Sequence, residues 1–320
     1  MILVLTNSDD ATADYLLHRL GEANLPYVRF NTDGTLAQTE FSYSPERPVL
    51  RIDQRSYSPA DIRHVWYRRP EILKHESIPD TPEGKCVLDE WSEALEGFFA
   101  HIPSDRWINW PAANALSSRK IEQLTAASRL GFSVPDTLIT QDEAAFRAFF
   151  EKCDGRVVVK PLGKASIERP DGQTDSIIYT NALSQSDLQD LAIVKACPTF
   201  LQRFVEKSAD IRITAVDSAI HAVELTAKDN DGRQRCDIRR NNMQDVTYRA
   251  IHLPDKVDGM VRRLMSHYGL RFAAIDMVVD VDGRWHFLEV NPNGQWAWLD
   301  LCGVTTIYKS FIESFLGISR

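Results

Sequence analysis

The 320-residue chain has little of what marks the specialised protein classes. No apolar run reaches the roughly 20 residues that a membrane-spanning helix needs, so no membrane association is expected. The opening Met1-Ile-Leu-Val-Leu-Thr carries no basic leader and no cleavage site, and reads as a first strand in a cytoplasmic protein. Cysteine is sparse. Cys86, Cys153, Cys197, Cys236 and Cys302 are scattered, odd in number and without C-x-x-C spacing, which excludes a disulfide framework and a zinc-ribbon site. Positive charge is short as well. With 37 Lys and Arg against 45 Asp and Glu the net charge is −8, which argues against a nucleic-acid partner. Internal repeats and low-complexity tracts are missing, and the first strand–helix loop has no G-x-G-x-x-G, so the dinucleotide fingerprint is missing too. What remains is 43% hydrophobic and 26% charged, an ordinary folded composition, in a chain long enough for two or three domains.

The most informative stretch runs from Arg271 to Gly294. Apolar residues from Phe272 to Val281, the Asp282-Gly283 pair and a return run from Trp285 to Val290 predict a β-hairpin. Three oxygen-bearing residues interrupt these runs. Glu289 and Asn291 are two apart and share a strand face, and pairing about the turn places Asp276 opposite or diagonal to Glu289. Converging carboxylates repel unless a proton or cation relieves them, and an all-oxygen set suits Mg²⁺ completed by water and phosphate.

Elsewhere the pattern alternates strand and helix. Residues 1–6, the Ala13/Leu16/Leu17/Leu20 stripe and Tyr27–Asn31 predict a βαβ unit with a parallel sheet. Runs 40–43 and 49–52 predict a hairpin. His64-Val-Trp-Tyr-Arg-Arg-Pro70 predicts a strand that delivers Arg68 and Arg69 at a sheet edge, either as surface charge or toward a ligand. A helix striped by Leu88, Trp91, Leu95, Phe98 and Phe99 follows. Ser117 or Ser118 is expected to cap a helix striped by Ile121, Leu124, Ala127 and Leu130. Lys120 in its first turn opposes the helix dipole, which makes sense if an anion binds there. Thr140 and Glu143 predict a capping box, and Ser184 a helix to about Lys195. The strand Arg156–Lys160 delivers Lys160 before Pro161 and a loop through Gly163 and Ser166, and such amides and lysine can cradle phosphates. Residues 164–176 are polar and read as a mobile loop. Three arginines, Arg235, Arg239 and Arg240, suit a polyanionic site. No Cys–His or Ser–His nucleophile pair is evident.

Taken together, Asp276 with Glu289-Val-Asn291-Pro-Asn293-Gly, preceded in order by Lys120 and Lys160, resembles the ATP-grasp carboxylate–amine ligases. Tyr67-Arg-Arg and Gly294-Gln-Trp-Ala-Trp-Leu resemble a narrower group, the graspetide synthetases that macrocyclise microviridin-type ribosomal peptides. That group often has an aromatic residue where Ile238 stands. The resemblance implies an α/β (α+β) ATP-grasp fold: a pre-ATP-grasp βαβ domain over 1–111, a central subdomain over 112–200 and a C-terminal subdomain over 201–320. It implies ATP and Mg²⁺, with metal on Asp276, Glu289 and Asn291, and phosphates on Lys120 and Lys160. Phe200–Thr214 resembles the hinge. That places adenine along Gln202, Arg203, Phe204 and Val205, ribose on Glu206 or, preferred, Asp210, and Arg212 with Arg239 and Lys160 at the chemistry. The implied activity is ADP-forming ester or amide formation between Asp/Glu and Ser/Thr/Lys of a ribosomal precursor peptide, leader and core, through an acyl phosphate. A homodimer is an open assembly. The alternatives are an ATP-grasp ligase of free amino acids and a non-catalytic ATP-binding scaffold.

Overall fold

The structure, a computed structural model, describes residues 1–163, 166–167, 176–189 and 191–318. The polar loop expected over 164–176 falls almost wholly outside them.

The first part builds a parallel sheet. Strand β1 (Ile2–Thr6), helix α1 (Ala11–Glu22) and β2 (Tyr27–Asn31) form the expected βαβ unit, in parallel register from Ile2 opposite Tyr27 to Thr6 opposite Asn31. Asp10 caps α1 by accepting from the amides of Thr12 and Ala13. Strands β3 (Thr39–Ser42), β4 (Val49–Ile52) and β5 (Arg55–Tyr57) make a small antiparallel sheet. Then β6 (His64–Tyr67), α2 (Pro82–Ala100) and β7 (Trp107–Ile108) complete the parallel sheet in the order β2-β1-β6-β7. Alternation along β6 sends Val65 and Tyr67 to the core under α2, and Trp66 to the opposite core.

In the second part come α3 (Pro111–Ser117), α4 (Lys120–Arg129), β8 (Thr137–Thr140), α5 (Glu143–Lys152), β9 (Val157–Lys160), β10 (Ser166–Ile167), β11 (Ser176–Ile177), β12 (Asn181–Ala182) and β13 (Thr199–Arg203). Strands β12-β9-β13-β8 form one antiparallel sheet, and β10 pairs with β11. Four sequence expectations shift here. Neither Ser117 nor Ser118 caps α4; α3 runs through Ser117, and the Ser118 hydroxyl donates back to Asn114 O. Of the expected α4 stripe Ala127 is buried and Leu124 and Leu130 pack against the core, but Gln123 and Ala126 are buried with them and Ile121 is 57% exposed. Asp142, not Thr140, caps α5, because its carboxylate reaches Ala145 N at 2.6 Å. In place of one helix from Ser184 the described residues form two 3₁₀ turns, Gln185–Leu188 and Ala192–Ala196.

The third part is a five-stranded antiparallel sheet, β16-β15-β14-β17-β18, from β14 (Lys207–Val216), β15 (Ala219–Thr226), β16 (Thr247–Ile251), β17 (Phe272–Asp280) and β18 (Trp285–Asn291). Helix α6 (Asp255–Tyr268), ended by Gly269 at φ +64°, covers one face through Val257, Val261, Leu264, Met265 and Tyr268. Ala126 and Ala127 of α4 join that core, so α4 packs on this sheet. The opposite face meets α1, Trp66, α7 (Ala297–Leu301) and α8 (Ile307–Phe315). Phe311 of α8 lies 5.3 Å from Trp66 and 5.1 Å from Trp296, ring centre to ring centre. One apolar core therefore joins the first sheet to the back of the last.

Candidate active site

The site forms on the face of the five-stranded sheet that α6 does not cover. In β17 the odd residues Ala273, Ile275 and Met277 enter the α6 core, so Asp276 points the other way. In the register Asp276 sits opposite Glu289, Ala274 opposite Asn291, and Arg212 of β14 opposite Asp276. Strict alternation in β18 would put Phe287 on the same face as Glu289. A bulge between Asp276 and Met277 inserts Leu288, so Met277 pairs with Phe287 and both Phe287 and Val290 enter the apolar core. The bulge thus lets an apolar strand present two oxygen donors at its end.

Charges at this face are interlocked. Arg212 Nη1 donates to Asp276 Oδ1 at 2.8 Å and Oδ2 at 3.0 Å, and its Nη2 donates to Gln295 O at 2.7 Å. Its buried Nε has no partner among the described residues and is a donor left for an anion. Lys120 Nζ lies 3.4 Å from Glu289 Oε2 and donates to Pro161 O at 2.8 Å. Asn291 Nδ2 donates to Glu289 Oε1 at 3.0 Å. Lys160 Nζ donates to Gln202 Oε1 at 2.7 Å, and Gln202 in turn donates to Thr137. Burial would raise the pKa of Glu289, but Lys120, the Asn291 hydrogen bond, Lys160 and Arg212 hold it below the usual range. Asp276 goes the other way: burial, reinforced by Glu289, outweighs Arg212 and raises it. Burial lowers Lys160 to about 8, with Lys207 and Lys120 adding repulsion and Glu289 opposing.

Burial and the neighbouring Glu289 hold Asp276 toward its neutral form, and a bound cation would favour its charged form. The donors are two carboxylates and an amide oxygen, hard ligands of the kind Mg²⁺ takes, so the residues fit that ion. Among the described residues no cluster of three His, Cys, Asp or Glu side chains offers another metal site.

A second feature lies beside Lys160. A cavity of about 400 Å³ runs between the β9–β12 edge and the β13–β14 connection, touched by Val157, Leu183, Phe204, Glu206, Lys207 and Cys236. Gln202 is buried, and Arg203 turns outward to Asp136. Phe204 N donates to Arg156 O at 2.8 Å. Among the described residues no backbone hydrogen bond engages Val205 N. Glu206 pairs with Arg156 at 3.3 Å, whereas both Asp210 oxygens are engaged, by Lys207 at 2.6 Å and Gln234 at 2.8 Å. Arg239 is held by Asp237 at 2.9 and 2.6 Å, which raises its pKa, and Glu289 and Asp276 add to that shift. Asp237 also accepts from Thr180 N, and Arg239 and Arg240 lie 5.7 and 5.3 Å from the Tyr179 ring, joining this loop to the central sheet.

Of the residues that position this site, Gln123 and Asn109 escaped the sequence reading, and Arg68 takes a place that the reading did not give it. Arg68 is neither surface charge nor a direct ligand of this face. It is 1% exposed, 3.3 Å from Asp10, and donates to Asn293 O, to Gly294 O and, at 2.9 Å, to Gln295 Oε1. Gln123 donates to Ser117 O and Val290 O and accepts from Val290 N, pinning β18 between Glu289 and Asn291. Asn109 donates to Phe272 O and Pro292 O and accepts from Arg271 N and Phe272 N. A Ser–His pair does exist: Ser133 Oγ lies 3.0 Å from His286 Nδ1, and His286 Nε2 2.9 Å from Asp280. Phe287 N also donates to Ser133 O, so this chain fastens the hairpin tip to the loop after α4.

The chain is similar to known proteins. Residues 1–114 match the family described as the MvdD pre-ATP grasp domain. No curated protein matches the chain. Among solved structures, macrocyclase MdnC of Microcystis aeruginosa MRC, bound with precursor peptide MdnA, is 24% identical with a TM-score of 0.86, over 99% of each chain. A RiPP-associated ATP-grasp ligase of Chryseobacterium gregarium, in complex with ADP and a leader and core peptide, is 25% identical with a TM-score of 0.86, over 100% of this chain and 97% of that one. The ATP-grasp ligase PsnB, with minimal precursor, Mg and ADP, is 20% identical with a TM-score of 0.72, over 100% and 97%. The fold is that of the ATP-grasp ligases with a pre-ATP-grasp domain.

Proposed function

We propose, from the premise that this chain is an ATP-grasp ligase, that it forms ADP while joining an Asp or Glu side chain of a ribosomal precursor peptide to a Ser, Thr or Lys side chain of the same peptide. The observation that carries the reading is the Arg212–Asp276–Glu289–Asn291 constellation beside Lys120 and Lys160, in a chain similar over its whole length to peptide-bound ligases. A free carboxylate does not condense usefully in water because its oxygen leaves poorly. In the proposed sequence a peptide carboxylate oxygen attacks the γ-phosphorus and the bond to ADP breaks. The hydroxyl or amine then attacks the acyl carbon, loses its proton, and phosphate departs with one former carboxylate oxygen.

Lys120 and Lys160 would hold phosphate oxygens, and Arg212, with Arg239 after release from Asp237, would hold the carboxylate and its tetrahedral intermediate. Asp276, Glu289 and Asn291 would hold Mg²⁺, which when bound neutralises phosphate charge. Adenine would lie along Gln202–Val205, with Phe204 on the cavity and Gln202 fixed by Lys160 and Thr137. Glu206, on the cavity wall, is the more open ribose partner, since both oxygens of the preferred Asp210 are already engaged. The chain would work in the cytoplasm as three units divided near residues 111 and 200.

The test uses a candidate precursor with oxygen-18 in its acidic side chains. Labelled inorganic phosphate and ADP should appear one per bond formed, with loss of one water mass each. Label in AMP with release of pyrophosphate refutes the acyl phosphate. Turnover of free amino acids without peptide refutes the peptide substrate.

A further inference from the structure

A second cavity, of about 390 Å³, lies on the other face of the first sheet, under α2. It opens where β1, β2 and β6 end, at the carboxyl edge that receives ligands in open parallel sheets. None of the residues assigned above to nucleotide, metal or carboxylate lines it. Tyr67 enters this cavity, while the next residue, Arg68, points through the opposite face to the catalytic turn.

The walls are apolar, with leucines beside five aromatic side chains: Phe30, Tyr67, Phe99, Trp107 and Trp110. The Tyr67 hydroxyl takes no hydrogen bond among the described residues. The rim carries Glu71, Ser92 and Glu96. Both charged residues of the lining are acidic, Glu71 and Glu96. Helix α2 exposes Glu83, Asp89, Glu90, Glu93 and Glu96 against the single Lys85, and Lys85 is drawn to Asp80 at 3.3 Å. Among the described residues none of those five acids forms an ion pair. Glu71 has Lys74 only at 3.9 Å, both more than half exposed.

Aromatic walls beneath uncompensated carboxylates select a side chain with a flat, weakly hydrated cation on an apolar stem. Arginine has that form: its plane stacks on a ring and its fork meets a carboxylate. A leucine would fill the space and leave the rim unmatched, and an acidic residue would be repelled. We propose that this cavity and the acidic face of α2 dock a basic, arginine-containing segment of the peptide substrate, outside the catalytic centre. The inference rests on the peptide-ligase reading. The cavity and the catalytic turn meet the same carboxyl edge of one sheet layer, so a peptide held in the cavity can pass over that edge toward Arg212.

The test uses the full chain with ¹⁵N-labelled tryptophan indoles and two acetylated, amidated nonapeptides, alike except for a central Arg or Leu. The indole signals of Trp107 and Trp110 should shift with the Arg peptide, and several-fold more Leu peptide should be needed for an equal shift. Glu96→Gln should weaken the Arg peptide several-fold, Ser92→Trp should abolish the shift by filling the cavity, and raised salt should act like Glu96→Gln. ATP should not displace the peptide. Equal response to both peptides, or none, overturns the proposal. So does a dimer that Ser92→Trp dissociates, which would make a second copy the occupant. Arg-selective shifts without any peptide-dependent ADP release leave the docking site standing and remove the ligase reading; ADP release without shifts does the reverse.

Discussion

Gly294→Ala probes how the turn after β18 is held. A Cβ built on Gly294 would lie 2.3 Å from Ala274 Cβ, 3.1 Å from Arg212 Nη2 and 3.3 Å from Asn291 Cβ. Carbon atoms rest about 3.5–4.0 Å apart, so the turn must retreat from β17 by more than about 1 Å. Strand β17 is paired on both sides, which holds it in place. The retreat carries Gln295 O away from Arg212 Nη2 and tilts Asn291. Overpacking of this kind costs about 1–3 kcal/mol, a Tm loss of a few degrees in a chain this size. Activity should suffer more, because a misplacement near 1 Å at reacting groups costs about 100-fold. Circular dichroism melts with precursor-dependent ADP release should show a folded protein at least tenfold slower. Ala274→Gly removes the opposing Cβ at about 0.5–1 kcal/mol for a strand glycine. The double variant should therefore recover activity that the first lost. Wild-type turnover in Gly294→Ala, or no recovery in the double variant, refutes the steric argument.

Three further outcomes follow from two side chains. Because Lys160 is lowered to about 8, its proton is present at pH 7 and mostly lost by pH 9, so calorimetric ATP affinity should fall as pH rises through 8, and Lys160→Met should flatten that slope. The same shift makes the nucleotide-free fold gain stability as pH climbs from about 8 toward the unfolded value, since the buried charge is then relieved. Asn109→Ala strands the amides of Arg271 and Phe272 and the carbonyls of Phe272 and Pro292, and denaturant unfolding should show a loss of at least about 2 kcal/mol.

The sequence by itself determined the pieces whose signals are local. Apolar runs about Asp282-Gly283 specify the hairpin, and pairing about that turn brings Asp276 opposite or diagonal to Glu289. The α6 stripe and its Gly269 stop are legible for the same reason, as is the first βαβ unit. Tertiary structure decided what depends on partners far along the chain. Arg68 is a buried strut only because Asn293–Gln295 arrives 225 residues later with free carbonyls. Gln123 belongs in an apolar face because β18 offers a backbone pair there, 167 residues away. Leu124, Ala127 and Leu130 of the same helix meet the core as their stripe suggests, while Ile121 is left in solvent. The bulge at Leu288 is decided by the α6 core, which claims both Phe287 and Val290. Periodicity reports which side of an element is buried, but a polar group is placed inside only when a distant hydrogen-bonding partner meets it.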